Sequence, residues 1–210
     1  MRHLLPLSLL PLAAASSSSS SSWSQVSITQ TDNGQQPPPI MSAIAGAFAN
    51  GTQFLLFGGC TSSCCFAPID ALWALDLTPD LTQGTWSQRT PPAQSLTSTS
   101  IAPSARFGAA STVDSTTDIL YAFGGQDSSQ AFLGDLYKFE ARTQEWSELK
   151  PSTLSETSTL SFQRPPSPRA AASLSVVRGG VGGGREGGRG GEKHLVLIGG
   201  FGRQLSLIHI

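Results

Sequence analysis

P-S-A-R-F-G-A-A-S-T-V (residues 103–113), D-I-L-Y-A-F-G-G (118–125), L-G-D-L-Y-K-F-E (133–140) and T-Q-E-W-S-E-L-K-P (143–151) are four short runs in close succession. Each is apolar or alternating, and each is closed by turn residues. Runs of this length and spacing read as four strands of one antiparallel sheet. The sheet carries a signature: Gly124-Gly125 ends the second run, Tyr137 lies in the third and Trp146 in the fourth.

The same order appears upstream. M-S-A-I-A-G-A-F (41–48), T-Q-F-L-L-F-G-G (52–59), A-L-W-A-L-D-L (71–77) and G-T-W-S-Q-R (84–89) place Gly58-Gly59 where Gly124-Gly125 stands. Trp73 takes the place of Tyr137, and Trp86 that of Trp146. A third copy begins as S-P-R-A-A-A-S-L-S-V-V (167–177) and resumes as H-L-V-L-I-G-G (194–200), bringing a third pair, Gly199-Gly200. Between its two runs lies R-G-G-V-G-G-G-R-E-G-G-R-G-G-E (178–192), where the other copies have a simple turn. A phosphate cradle needs a helix after the glycines, and here a strand follows. The insertion therefore reads as a surface loop.

Composition agrees with a turn-rich β protein. The chain has 210 residues with 22 Gly and 14 Pro, yet only 13% charged residues, fewer than helical surfaces need. A net charge of −1 gives no reason to expect nucleic acid as a partner. No apolar run reaches the roughly 20 residues that cross a bilayer.

The flanks read differently. Residues 1–15 pair Arg2 and His3 with an apolar core and a small-residue end at Ala13-Ala14-Ala15, the three parts of a secretory signal. Residues 16–39 read as a flexible spacer rich in Ser and Pro. Structured sequence is expected over 40–202, with sheets at 40–90 and 103–151 and an incomplete one at 166–202. Residues 203–210 match neither complete copy and read as a truncated or non-native end.

The repeats resemble kelch motifs. D-I-L-Y-A-F-G-G, L-G-D-L-Y-K-F-E and Q-E-W-S-E-L are similar to consecutive parts of one unit, and 53–59, 72–77 and 85–88 to those of another. Without the Ser/Thr/Pro loops and the glycine insertion, each copy is near the roughly 50 residues of a kelch unit. The resemblance implies an all-β fold, an incomplete kelch-type propeller of about two and a half four-stranded antiparallel blades. Unalternating runs such as 119–123 suit strands covered on both faces. Trp73, Trp86, Tyr137 and Trp146 would fill the wedges between blades. A propeller closes with about four to eight blades, so the remainder would come from a longer chain or from other chains.

Candidate chemistry is sparse. Cys60, Cys64 and Cys65 leave open a bridge from Cys60 to Cys64 or Cys65, free thiols, or a metal site lacking its fourth ligand. His3, His194 and His209 form no catalytic set with Ser or Cys. Arg106 and Arg169 both enter the first strand of their units, a place that the resemblance puts near the central channel. There they would meet acidic ligands, or else bond loop carbonyls. No metal and no cofactor is expected.

The expected function is a secreted or extracytoplasmic binding scaffold whose loops contact a protein or glycan. The rival is the propeller of a galactose-oxidase-like secreted oxidoreductase whose site would lie outside this stretch; the copper ligands of such enzymes are Tyr, Cys and His, and Tyr121 and Tyr137 both fit core strand positions instead. Iron-dependent specifier proteins of the same architecture need an acid and histidine cluster that the sequence lacks.

Overall fold

A computed structural model of the chain describes residues 25–29, 35–48, 51–61, 65–89, 101–150, 165–178 and 193–202. Among the described residues eleven strands fall into three sheets. The first contains β1 (Ser27–Thr29), β2 (Ile44–Phe48), β3 (Gln53–Phe57), β4 (Leu72–Leu77) and β5 (Gln83–Arg89), in the order β1-β5-β4-β3-β2. The second is a meander of β6 (Ala110–Asp114), β7 (Ile119–Phe123), β8 (Leu136–Glu140) and β9 (Glu145–Glu148). The third pairs β10 (Arg169–Arg178) with β11 (Lys193–Gly202). The protein is all-β, with antiparallel sheets following one another as blades.

Strand alternation explains how the blades stack, because successive side chains leave opposite faces of a sheet. Ile44, Phe48, Leu55, Phe57, Leu72 and Ala74 of the first blade share one core with Leu120, Ala122, Tyr137, Phe139 and Trp146 of the second. The opposite face of the second blade, with Ala110 and Phe123, packs on Leu174, Leu195 and Leu197 of the third. β7 is thus covered on both sides, as its unbroken apolar run requires. Trp146 is 1% exposed and lies 5.1 Å from Phe57 and 5.0 Å from Phe139, ring centre to ring centre. Burying one such ring contributes on the order of 2–4 kcal/mol.

The glycine pairs act between blades. At Gly58 (φ 69°) a Cβ would sit 2.6 Å from the Arg106 carbonyl oxygen of the next blade. At Gly124 (φ 68°) it would sit 2.4 Å from that of Arg169. Only glycine combines a left-handed backbone with so close an approach. The following glycine amides use the same carbonyls: Gly59 donates to Arg106 O at 2.7 Å and Gly125 to Arg169 O at 2.9 Å. Left-handed residues at the strand entries add a second ladder. Gly108 donates to Ser42 O at 2.8 Å and Ala171 to Gly108 O at 2.7 Å.

Two expectations change. The stretch 16–39, read as a flexible spacer, contains β1, which pairs in parallel with β5 (Ser27↔Gln83, Ile28↔Gly84, Thr29↔Thr85). Its register is fixed by backbone bonding and by Thr29 Oγ1, which donates to Gly84 O at 3.1 Å; three exposed residues leave no apolar pattern to read. Trp86 is half-buried rather than fully packed, because among the described residues no blade lies against its face. The expected signal at 1–15 and the end at 203–210 lie outside the described residues.

Candidate interaction face

At the end of the arc that carries the glycine pairs, each β3–β4 or β7–β8 connection folds back over the entry to its blade. Isolated bridges join Met41 to Cys60 and Cys60 to Pro68 in the first blade, and Phe107 to Gln126 and Gln126 to Phe132 in the second. Cys60 therefore stands where Gln126 stands. Met41, Phe66 and Phe132 are exposed there, and Phe66 most of all, at 63%. Both loops are tied down at their described residues.

Different chemistry holds each loop. In the first blade a disulfide joins Cys60 to Cys65; Cys60 is buried, and Cys64 lies outside the described residues. In the second, Asp127 accepts from Ser129 N at 2.8 Å, Ser129 Oγ at 2.6 Å and Ala131 N at 3.0 Å. The Ser129 hydroxyl, then the Ala131 amide, hold its carboxyl below the usual aspartate range. Gln126 Nε2 donates to Gln130 O at 3.0 Å and completes the turn.

Of the two roles open to Arg106 and Arg169, contact with an acidic ligand or bonding to loop carbonyls, the structure shows bonds to carbonyls. Each is 2% exposed. Arg106 grips Asp135 through both oxygens, at 2.6 and 2.9 Å. Its remaining N–H groups donate to Ser104 O (3.0 Å), Ser104 Oγ (3.1 Å) and Gly124 O (3.1 Å). The guanidinium also lies over the Tyr137 ring, 5.3 Å from its centre. Burial, and then the nearby Asp135 and Glu148 charges, push the Tyr137 hydroxyl above its ordinary pKa. Arg169 repeats the pattern on Ser167 O (3.0 Å), Ser167 Oγ (2.8 Å) and Gly199 O (3.1 Å). These arginines tie strand entries to glycine corners. A buried, multiply bonded guanidinium is not available to a ligand at the surface.

Asp114 forms a clasp that the sequence did not announce. It is buried at the end of β6, where the first blade has Phe48. Its oxygens meet Arg178 and Lys193, each at 2.7 Å, and these two residues pair with each other at the root of the glycine insertion. The Thr116 amide and hydroxyl also donate to it. Burial opposes its ionisation, but Lys193 and Thr116 outweigh that, and the carboxyl is held far below its ordinary range.

The exposed aromatics Phe66 and Phe132 were not singled out from the sequence. The available signal was an aromatic residue standing in a turn segment instead of a strand. Tyr137 and Trp146 are buried as inter-blade plates, Trp73 is buried on the face of the first blade turned away from the second, and Gly58, Gly59, Gly124 and Gly125 make the corners described above. Gly199 and Gly200 take the same left-handed conformation at the edge of the third blade. His194 lies half-buried in β11, while His3 and His209 lie outside the described residues. Among the described residues no group of His, Cys, Asp and Glu is arranged to hold a metal ion, and no helix is long and apolar enough to cross a membrane.

The family profile described as the KLHDC2/KLHL20/DRC7 Kelch-repeats domain matches residues 12–152, more than half of the chain. No curated protein matches. A solved structure described as "Structure of YjhT" is 22% identical over 69% of this chain, with a TM-score of 0.39. The chain spans 35% of the length of that relative.

Proposed function

The chain belongs to the kelch-repeat family, and on that premise we propose that it is a non-enzymatic scaffold that holds a protein partner against its braced loops. One observation carries this reading. Phe66 stands 63% exposed beside a disulfide-closed loop, and Phe132 occupies the matching loop of the next blade. Aromatic side chains held rigid in water contribute contact area at little entropic cost when a partner covers them. Binding loops on a stacked β framework are the usual division of labour between site and fold.

We place the scaffold outside the cytosol. The leader-like residues 1–15 support this, and so does the Cys60–Cys65 bridge, since such bonds persist in oxidising compartments. N-terminal sequencing of protein recovered from the secretory route should begin after the alanine cluster at 13–15. A retained Met1 would count against export.

The binding test uses the whole chain and its Phe66→Ala/Phe132→Ala double variant as bait for crosslinked partners. Retained near-ultraviolet dichroism shows that the blades still stack. We expect the variant to lose captured protein on the order of tenfold. Equal capture would overturn the assignment of the site to these loops. Retention of a carbohydrate by both forms would favour a glycan held elsewhere, and stoichiometric copper in the purified protein would favour the oxidoreductase reading.

A further inference from the structure

Cys60 and Gln126 hold the same station, but the first blade adds a sulfur bond there. Cys60 exchanges both backbone bonds with Met41, at 3.0 Å each, as Gln126 does with Phe107 at 3.0 and 2.9 Å. Beyond them Ile69 donates to Gly59 O and Leu133 to Gly125 O, each at 2.9 Å. The second blade thus forms its corner by backbone bonding alone, and the first has the same bonds. The Cys60–Cys65 bridge joins residues five apart in sequence, and so short a closure restricts the unfolded chain less than a long one. It holds the loop rather than the blade.

Phe66 follows Cys65 directly and is 63% exposed. Among the described residues its loop is tied by the sulfur bond on one side and by the contacts of Pro68 and Ile69 on the other. The loop of Phe132 is braced by Asp127 through Ser129 and Ala131, which no reductant breaks. The two sulfurs also differ. Cys60 is fully buried, whereas Cys65 is half-buried, so an attacking thiol reaches Cys65 first. Cys65 takes a left-handed backbone (φ 50°), which a non-glycine residue leaves once nothing holds it there. The reduced state of Cys60 is provided for: its Sγ lies 3.7 Å from Met41 O, an acceptor for the S–H.

We propose that the Cys60–Cys65 bond is a reversible latch on Phe66, opened by a dithiol reductant while the blade stays folded. A thiolate of the reductant attacks Cys65 Sγ, forms a mixed disulfide there and expels Cys60 Sγ as a thiolate, which takes up a proton. The second thiol of the reductant then displaces Cys65 Sγ. The protein gains two electrons and two protons, and the reductant leaves as its own disulfide. Opening frees Phe66 and leaves Phe132 in place, so half of the aromatic contact becomes dependent on redox state. The effect on binding rests on the reading of Phe66 as a partner contact; the opening itself does not.

The test uses the whole chain carrying Cys64→Ser, which keeps the third thiol from taking the place of Cys65. In graded mixtures of reduced and oxidised dithiothreitol, trapped thiols are counted by mass and near-ultraviolet dichroism is recorded in parallel. We expect two thiols to appear together with the dichroism retained. Reduction only where the dichroism collapses would overturn the latch. Chymotrypsin cleavage after Phe66 should be faster on the order of tenfold when Cys60→Ser and Cys65→Ser are added, with cleavage after Phe132 unchanged. Equal cleavage after Phe66 would also overturn it. Partner capture by the opened chain should fall as far as it does for Phe66→Ala. If Phe66→Ala loses capture and the opened chain keeps it, the latch does not control the site and the proposal fails. If Phe66→Ala keeps capture as well, the partner reading fails, and the thiol and cleavage results decide the latch by themselves.

Discussion

Arg106 and Asp135 make a two-point ion pair inside the second blade, and the neighbouring blade shows what replaces it. The backbone contacts that place Arg106 and Asp135 in the second blade place Ile40 and Ala71 in the first. One scaffold position thus tolerates either an ion pair or an apolar pair, but a single partner alone leaves a buried charge uncompensated. Asp135→Ala should destabilise by about 3 kcal/mol, read as a lower urea midpoint. Adding Arg106→Ile should recover most of that loss. An additive double variant would show that the two residues are not coupled. Gly124→Ala belongs to the same scale. It drives a methyl against the Arg169 carbonyl and should cost several kcal/mol, beyond the ~1–3 kcal/mol of left-handed strain alone. Gly51→Ala, with open space at its Cβ, supplies that strain-only baseline in the same urea titration.

At the scale of elements, two devices join strands that the repeat alone would leave loose. β1 lies along β5 as a parallel fifth strand, giving an otherwise bare edge a backbone partner. Asp114 draws the roots of β10 and β11 onto the second blade. Its carboxyl titrates far below its ordinary value when folded, and near ~3.9 when unfolded. The unfolded chain therefore takes up the proton first as the pH falls. The stabilisation is complete above about pH 4 and is lost progressively below it, as the pH moves toward the folded value. Asp114→Asn should cost about 2 kcal/mol at neutral pH, since both cationic partners are partly exposed and screened. It should also flatten the acid limb of stability measured by urea titration between pH 2 and 7. An unchanged acid limb would place the proton-linked stabilisation elsewhere.

For the whole molecule, stability follows coverage. β7 sends Leu120 and Ala122 into one inter-blade core and Tyr121 and Phe123 into the other. β1 is exposed along its length. Amide hydrogen exchange should be slowest in β7 and fastest in β1, because local opening needs less free energy where fewer apolar contacts are lost. Similar rates in the two strands would mean that the blades do not stack as a unit. The arc also presents loops with exposed aromatics, Phe66 and Phe132, at one end of its axis.

The repeat, its strands and the plates between them were legible in the residues themselves. Unalternating runs such as 119–123 need cover on both faces, and the recurring glycine pairs and ring positions mark the units that supply it. The paired arginines were visible too, but which of the two roles open to them they take was not. A guanidinium at a strand entry is the same letter whether it faces a channel or a buried carboxylate, and only packing put Arg106 against Asp135. The clasp at Asp114, the parallel pairing of β1 and the carbonyl approach at Gly58 and Gly124 join residues distant in sequence, or depend on backbone atoms that carry no side-chain signature. Local pattern determined which segments became strands. Long-range contact decided which polar groups were hidden and which rings were left in water.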